Sequence, residues 1–241
     1  MSKVAPKVSV LIVSYNVKQY IVHCIDSIKK SNYDGQIEII IVDNNSFDGS
    51  LNKIKQQFND IKCIQNDDNV GFGRAVNQAA NIATGEYYLI LNPDTIIEEN
   101  TISTFVNYLE DNNAVGMVGP KIVNSDGTLQ KGCKRSFPTI GVALPKLLGL
   151  DKVFKNSKWA GRYNLNYFDM DEIHKVDAIS GSCMFLRADL FKKIGGFDEQ
   201  FFMYGEDLDL CYKVFKQGFK VHYLPTTQII HYQGESVKSA P

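Results

Sequence analysis

Two hydrophobic periods alternate along the first half of the chain. Val8 to Val13 and Ile37 to Val42 are runs of mostly β-branched and apolar residues, the pattern of strands buried on both faces. Between them Val17, Ile21, Ile25 and Ile28 recur at helical spacing, and Asn32 and Gly35 close the segment, which makes a βαβ unit. Leu51, Ile54 and Phe58 mark a second helix after Asp48, a short strand is expected near Cys63 to Gln65, and a third helix runs from about Gly73 to Thr84 and stops at Gly85. Tyr87 to Leu91 reads as a further buried strand, followed past Pro93 by a helix around Thr101 to Glu110 and a strand at Val115 to Val118. Strands separated by helices of this length predict an α/β fold with a mostly parallel central sheet and helices on both faces.

From about Lys131 to Lys175 the periodicity dissolves into Gly, Pro, aromatic and basic residues, among them Arg135, Phe137, Pro138, Trp159 and Tyr163. Such a stretch is either a long structured insertion or a flexible wall of a binding site. Strand character resumes at Ser182 to Leu186, a helix follows over Leu208 to Phe215, and Ile229-Ile230 reads as a strand. No composition break divides the 241 residues, so one domain is expected.

Charge and cysteine usage narrow the function. A net charge of −1 argues against a non-specific nucleic-acid binder, which needs a basic surface. The five cysteines are scattered, odd in number and without CxxC spacing, as expected of reduced cytoplasmic thiols rather than a disulfide framework or zinc site. The amino terminus lacks the apolar core of a signal peptide, and no apolar run is long enough to span a bilayer. A further carboxy-terminal segment beyond Pro241 is expected.

In an open parallel sheet, ligands bind beyond the carboxyl ends of the strands. The residues there are Ser14-Tyr15-Asn16, Asp43-Asn44-Asn45-Ser46, Asn69-Val70-Gly71-Phe72-Gly73-Arg74 and Asn92-Pro93-Asp94. Asp43 is suited to accept hydrogen bonds from a nucleoside, although an isolated acid at a strand end equally caps a turn. Gly71 and Gly73 allow backbone to approach a ligand, with Arg74 available to phosphate or base. Asp94 can hold a divalent metal that also binds a diphosphate, because hard cations favour oxygen ligands. Glu206, Asp207 and Asp209 form an acidic cluster at a helix start, which dipole stabilisation alone would explain, but Phe201, Phe202, Met203 and Tyr204 just before it can raise the pKa of a carboxylate toward that of a general base. His231, brought beside Asp94, would complete a metal site as a neutral imidazole.

In this order and spacing the segments resemble glycosyltransferase family 2, inverting enzymes with the GT-A fold. The match runs from about Val8 to Ser236 and rests on Val13-Ser14-Tyr15-Asn16, Val42 to Ser50, Asn69 to Phe72, Leu91-Asn92-Pro93-Asp94, Gly181-Ser182-Cys183, Gly195-Gly196-Phe197-Asp198, Gly205 to Asp209 and His231 to Ser236. The resemblance implies that Ser14, Tyr15 and Asp43 hold the donor base and ribose with Arg74 beside them, and that Asp94 binds Mg2+ or Mn2+ bridging the two phosphates. Asn92 stands where the family more usually has aspartate; its amide can reach ribose but lowers the local charge. Asp207 matches the catalytic base, Glu206 and Asp209 lie on the acceptor side, and His231 falls where some members place a second metal ligand.

The Asn-Pro-Asp variant, the Gly-Gly-Phe-Asp segment and the His-x-x-Gly-x-Ser ending look most like the rhamnosyltransferase-type subgroup of bacterial cell-surface polysaccharide assembly. That resemblance implies a dTDP-rhamnose or UDP-sugar donor, a glycan or lipid-linked acceptor, no nucleic-acid partner, and a cytoplasmic protein working peripherally at the inner face of the plasma membrane, attached through the expected carboxy-terminal segment. Two other readings compete. A dinucleotide-dependent oxidoreductase would need G-x-G-x-x-G after the first strand, where the chain has Ser14-Tyr15-Asn16-Val17-Lys18. A catalytically silent sugar-nucleotide or glycan-binding module of the same fold is opposed by the joint presence of Asp94, Asp207 and His231.

Overall fold

The computed structural model describes residues 4–154 and 157–232. The amino-terminal half is β1 (Val8–Ser14), α1 (Ile21–Lys29), β2 (Ile37–Asp43), α2 (Ser50–Gln57), β3 (Lys62–Gln65), α3 (Phe72–Ile82), β4 (Tyr87–Leu91), β5 (Thr95–Ile97), α4 (Thr101–Asp111) and β6 (Val115–Val123). The rest is β7 (Lys134–Arg135), α5 (Ile140–Leu147), α6 (Leu150–Val153), β8 (His174–Val176), β9 (Ala178–Ile179), β10 (Cys183–Arg187), α7 (Ala188–Lys193), α8 (Glu206–Lys216) and β11 (Lys220–His231).

One nine-stranded sheet, ordered β3-β2-β1-β4-β10-β6-β11-β5 with β8 also on β11, takes strands from both halves. The run β3-β2-β1-β4 is wholly parallel, as its β-α alternation predicts. Beyond it the sheet is mixed. β10 lies antiparallel between β4 and β6, so β6 and its parallel neighbour β11 keep the direction of β1, while β5 and β8 run against β11. The strands predicted as apolar runs are the buried ones: every residue of β1 and β4 is buried, and Ile21, Cys24, Ile25 and Ile28 of α1 belong to the same core.

Two strands depart from the sequence-derived expectation. Only Ile229-Ile230 reads as strand near the carboxyl end, yet β11 spans twelve residues. Pro225 hides it. Lacking an N–H, proline reads as a strand breaker, but here it sits in a bulge where the register against β6 jumps from Leu224↔Pro120 to Gln228↔Lys121. β5, only three residues long, gives no periodic signal at all. The segment from Lys131 to Lys175 is a structured insertion: β7 pairs with β9, Lys134 is fully buried with Nζ donating to Leu165 O at 2.7 Å, and Phe137 packs edge-on against Tyr212 of α8.

At the amino ends of the strands Glu38 acts as a hub. It accepts from Ser9 Oγ (2.6 Å), Thr84 N–H (2.6 Å) and Lys62 Nζ (2.9 Å), tying β1, β2, β3 and the turn into β4 together. Burial alone would push its pKa up, but these hydrogen bonds outweigh burial and hold it down at about 2. A folded-state pKa below the unfolded one stabilises the fold above the unfolded value, and that stabilisation is lost as pH falls toward the folded value. Glu38→Gln should therefore lower the melting temperature at neutral pH, with the difference from wild type shrinking between about pH 4.3 and 2. A difference that stays constant over that range in thermal melts would remove Glu38 from this role.

Candidate active site

The carboxyl ends of β1, β2 and β4 meet at one edge of the sheet. Ser14 and Asp43 end β1 and β2, face each other in register and are fully buried. Asp43 Oδ2 accepts from Ser46 N–H at 2.9 Å, but Asp43 Oδ1 and Ser14 Oγ have no hydrogen-bond partner among the described residues. Buried orphaned polar atoms are costly and rare, and two of them side by side at a sheet edge suit a ligand that hydrogen-bonds both. Tyr15 follows, half-buried. Asn44 braces this edge: its amide donates to Asn69 Oδ1 (3.1 Å) and Gly71 O (3.2 Å), and its oxygen accepts from Asn66 Nδ2 (2.8 Å).

Asn92 and Asp94 lie between β4 and β5. Because Thr95 pairs with His231 across β5 and β11, the His231 ring is set beside the Asp94 carboxylate, with Nε2 3.3 Å from Oδ1. Gln130 decides the tautomer. Its Nε2 donates to Asn124 Oδ1 (2.8 Å) and His231 O (2.9 Å), so its Oε1 is the acceptor facing His231 Nδ1 at 3.0 Å, and Nδ1 carries the proton. With Nδ1 engaged by Gln130, Nε2 is the ring nitrogen turned toward Asp94, with Asn92 Nδ2 at 3.4 Å. Asp94 is 2% exposed and its Oδ1 makes no hydrogen bond.

An imidazole nitrogen and a carboxylate oxygen aimed at one point, the ring held from behind by an amide, fit a divalent cation; ligands in neighbouring coordination positions stand about 3 Å apart. Among the described residues no group of three or more His, Cys, Asp or Glu gathers, so the described residues offer two such ligands there. Coordination positions are left for phosphate oxygens.

The opposite wall is the start of α8. Asp207 Oδ2 accepts from Gly181 N–H (3.0 Å) and is paired with Arg135 of β7, while Oδ1 accepts from Leu208 N–H (2.8 Å). Burial works against the Arg135 charge, but the facing carboxylate prevails and its pKa is raised. Sequence reading placed Arg135 only in an undifferentiated insertion and missed this pairing. In the acidic cluster, the carboxyl that burial pushes up is Glu206, with the Asp207 charge adding to the effect; its Oε2 has no partner. Asp209 is instead ion-paired within its own helix, to Lys213 at 2.9 Å, and Lys213 also donates to Gly196 O.

The two walls are joined by the segment leading into α8. Gly71 has φ +87°, and a Cβ there would stand 2.7 Å from Phe202 O, so the backbone at 202 lies directly against the start of α3. Asn77 of α3 accepts from Phe197 N–H and donates to Phe197 O, both at 3.0 Å, which docks the Gly-Gly-Phe-Asp segment. Arg74 faces this outer side, 3.6 Å from Glu199 with both side chains largely exposed; no hydrogen bond or ion pair joins it to Ser14, Asp43 or Asp94 among the described residues. A separate cleft of about 410 Å3, lined by Asn77, Phe191, Lys192 and Glu199, also opens on that side, away from the strand ends.

This arrangement has relatives. The model of glycosyl transferase family 2 matches residues 9–195, and that of glycosyl transferase family group 2 matches residues 152–239. The N-acetylglucosaminyl-diphospho-decaprenol L-rhamnosyltransferase of Mycobacterium tuberculosis is 26% identical over 85% of this chain and 69% of its own length. Rhamnosyltransferase WbbL of Escherichia coli is 28% identical over 93% and 83%. Among solved structures, Staphylococcus aureus TarS 1-349 in complex with UDP-GlcNAc superposes with a TM-score of 0.66 at 21% identity over 98% of this chain. GalNAc-T7 with UDP, GalNAc and Mn2+ gives 0.69 at 17% over 94%, and the Pyrobaculum calidifontis mannosyltransferase PcManGT with GDP-Man and Mn2+ gives 0.65 at 20% over 95%. The chain spans 61%, 44% and 59% of those three structures' chains, and the likeness establishes the GT-A fold. With its family match covering most of its length, the chain belongs to glycosyl transferase family 2, and rhamnosyltransferases are among its relatives.

Proposed function

We propose that this glycosyltransferase moves a sugar, with inversion, from a nucleotide diphosphate donor to a hydroxyl of a glycan or lipid-linked acceptor in cell-surface polysaccharide synthesis. The rhamnosyltransferase relatives favour dTDP-rhamnose as donor, with a UDP-sugar as the other choice, and a site of action at the inner face of the plasma membrane. The observation that carries the reading is the buried Asp94–His231 pair at 3.3 Å, beside the orphaned Ser14 Oγ and Asp43 Oδ1. Residues of about 1–119 supply most of the donor side, and residues of about 120–241 supply the acceptor side and the base.

Asp43, Ser14 and Tyr15 hold the base and ribose, and Asn92 reaches the ribose or a phosphate. Asp94 and His231 hold Mg2+ or Mn2+, and Gln130 orients His231 for it. When bound, the metal supplies positive charge against the departing diphosphate. Asp207 takes the proton of the acceptor hydroxyl as that oxygen bonds to the anomeric carbon and the carbon–oxygen bond to the diphosphate breaks on the opposite face; one displacement inverts the centre. Arg135 and Gly181 N–H hold Asp207 Oδ2 and so fix the direction of the carboxylate. Glu206, neutral more readily than an exposed glutamate, is placed to hydrogen-bond the acceptor.

Asp207→Asn should reduce turnover by about 10^2- to 10^4-fold while donor affinity, read by calorimetry, stays at the wild-type value. Glu206→Gln should keep most of the turnover; if it is Glu206→Gln that abolishes transfer and Asp207→Asn that keeps it, the base is Glu206. Gln130→Leu should weaken Mn2+ affinity, measured in the presence of the nucleotide diphosphate, by about 10- to 100-fold, because the ring is no longer held. Asp94→Ala should remove the metal dependence of donor binding, and an unchanged metal titration in both variants would take the pair out of the metal site.

A further inference from the structure

The outer face of α5 is apolar and faces solvent. Ile140, Leu144, Leu147 and Leu148 follow one another at helical spacing and fall within an arc of about 100°, while Val142 and Pro145 on the other side are buried. Ile140 is 86% exposed and Leu147 82%. Phe154 and Trp159 just beyond are also exposed, Trp159 at 58%. A single large exposed apolar residue needs no explanation, but seven within twenty residues, Val153 included, do.

From these residues we infer that the α5–α6 insertion is a membrane-docking surface for a bilayer with anionic headgroups. Charge identifies the occupant. Residues 139–162 contain Lys146, Lys152, Lys155, Lys158 and Arg162 against a single acid, Asp151, in a chain whose overall net charge is −1. Apolar side chains on one helix face with a local basic excess match the lipid interface, where the former enter the acyl boundary and the latter meet phosphate groups. A second copy would set two such basic segments against each other.

The insertion is rigidly joined to the catalytic wall. Lys134 is buried under it, Ser136 N–H donates to Tyr163 O at 2.8 Å, Phe137 packs on Tyr212 and Phe215 of α8, and Arg135 holds Asp207. Docking by α5 would thereby fix the acceptor side of the enzyme relative to the bilayer. The surface does not depend on the identity of the donor or on catalysis, since lipid binding needs neither.

Trp159 is the only tryptophan in the chain and lies on the surface in question, so its fluorescence reports docking directly. With the full 241-residue chain and vesicles of phosphatidylcholine mixed with phosphatidylglycerol, Trp159 emission should shift to the blue and the protein should cosediment. Both effects should weaken as salt is raised and be much smaller with phosphatidylcholine alone. The exposed double variant Leu144→Glu/Leu147→Glu should keep the wild-type melting temperature and lose vesicle affinity by at least about tenfold. Absence of binding to mixed vesicles, or equal binding by the folded double variant, overturns the inference. So does a lipid-free dimer in sedimentation velocity that the same variant dissolves, which would assign the face to a second copy.

Discussion

The Asp94–His231 pair, the proposed metal site, depends on the antiparallel pairing of β5 with the last residues of β11. β5 is three residues long and continues directly from the Asn92-Pro93-Asp94 turn, so its register against β11 sets which side chain stands next to the Asp94 carboxylate. The register observed puts His231 opposite Thr95, and Tyr232 N–H closes the pairing on Asp94 O at 2.9 Å. A slip of one residue would turn His231 to the other face of the sheet and leave Asp94 without a nitrogen partner. The bulge at Pro225 belongs to the same constraint, since the extra residues it absorbs determine where along β6 and β5 the end of β11 arrives.

Around that pairing the charges are arranged in two opposed sets. On one wall the buried Asp94 carboxylate and the His231 Nε2 converge, and no lysine or arginine among the described residues is paired with them. On the other a buried carboxylate, Asp207, already has its cation in Arg135. The first wall is suited to attract positive charge from solution and with it a diphosphate; the second is electrically closed and keeps its carboxylate in one orientation. A reaction in which negative charge grows on a leaving diphosphate and a proton moves to a carboxylate uses both conditions at once.

Much of this was readable in the sequence, and the parts that were not share a cause. Ser14, Asp43 and Asp94 follow apolar runs whose burial makes strands unmistakable, and a parallel sheet gathers strand ends at one edge, so their convergence could be expected from order alone. The aromatic run before the acidic cluster was a poor guide, because Phe202 and Tyr204 turn out exposed, and Glu206 is a carboxyl that burial raises; the base role of Asp207 rests on the family resemblance. Arg135 and Gln130 were not legible as partners. Each is a single polar residue in a stretch without periodicity, and its role comes from contacts more than seventy residues away, to Asp207 for Arg135 and His231 for Gln130. Arg74 shows the converse: a plausible spacing after Gly71 and Gly73 suggested a phosphate ligand, but its position on α3 turns it toward Glu199.

The most direct test of the account is anomalous diffraction at the manganese edge from crystals of the protein soaked with Mn2+ and a thymidine or uridine diphosphate. A single strong peak between Asp94 Oδ1 and His231 Nε2, with diphosphate oxygens completing its shell and the nucleoside reaching Ser14 and Asp43, is the predicted result. Manganese held instead by Glu206, Asp207 or Asp209, or a nucleotide bound away from the ends of β1 and β2, would contradict it.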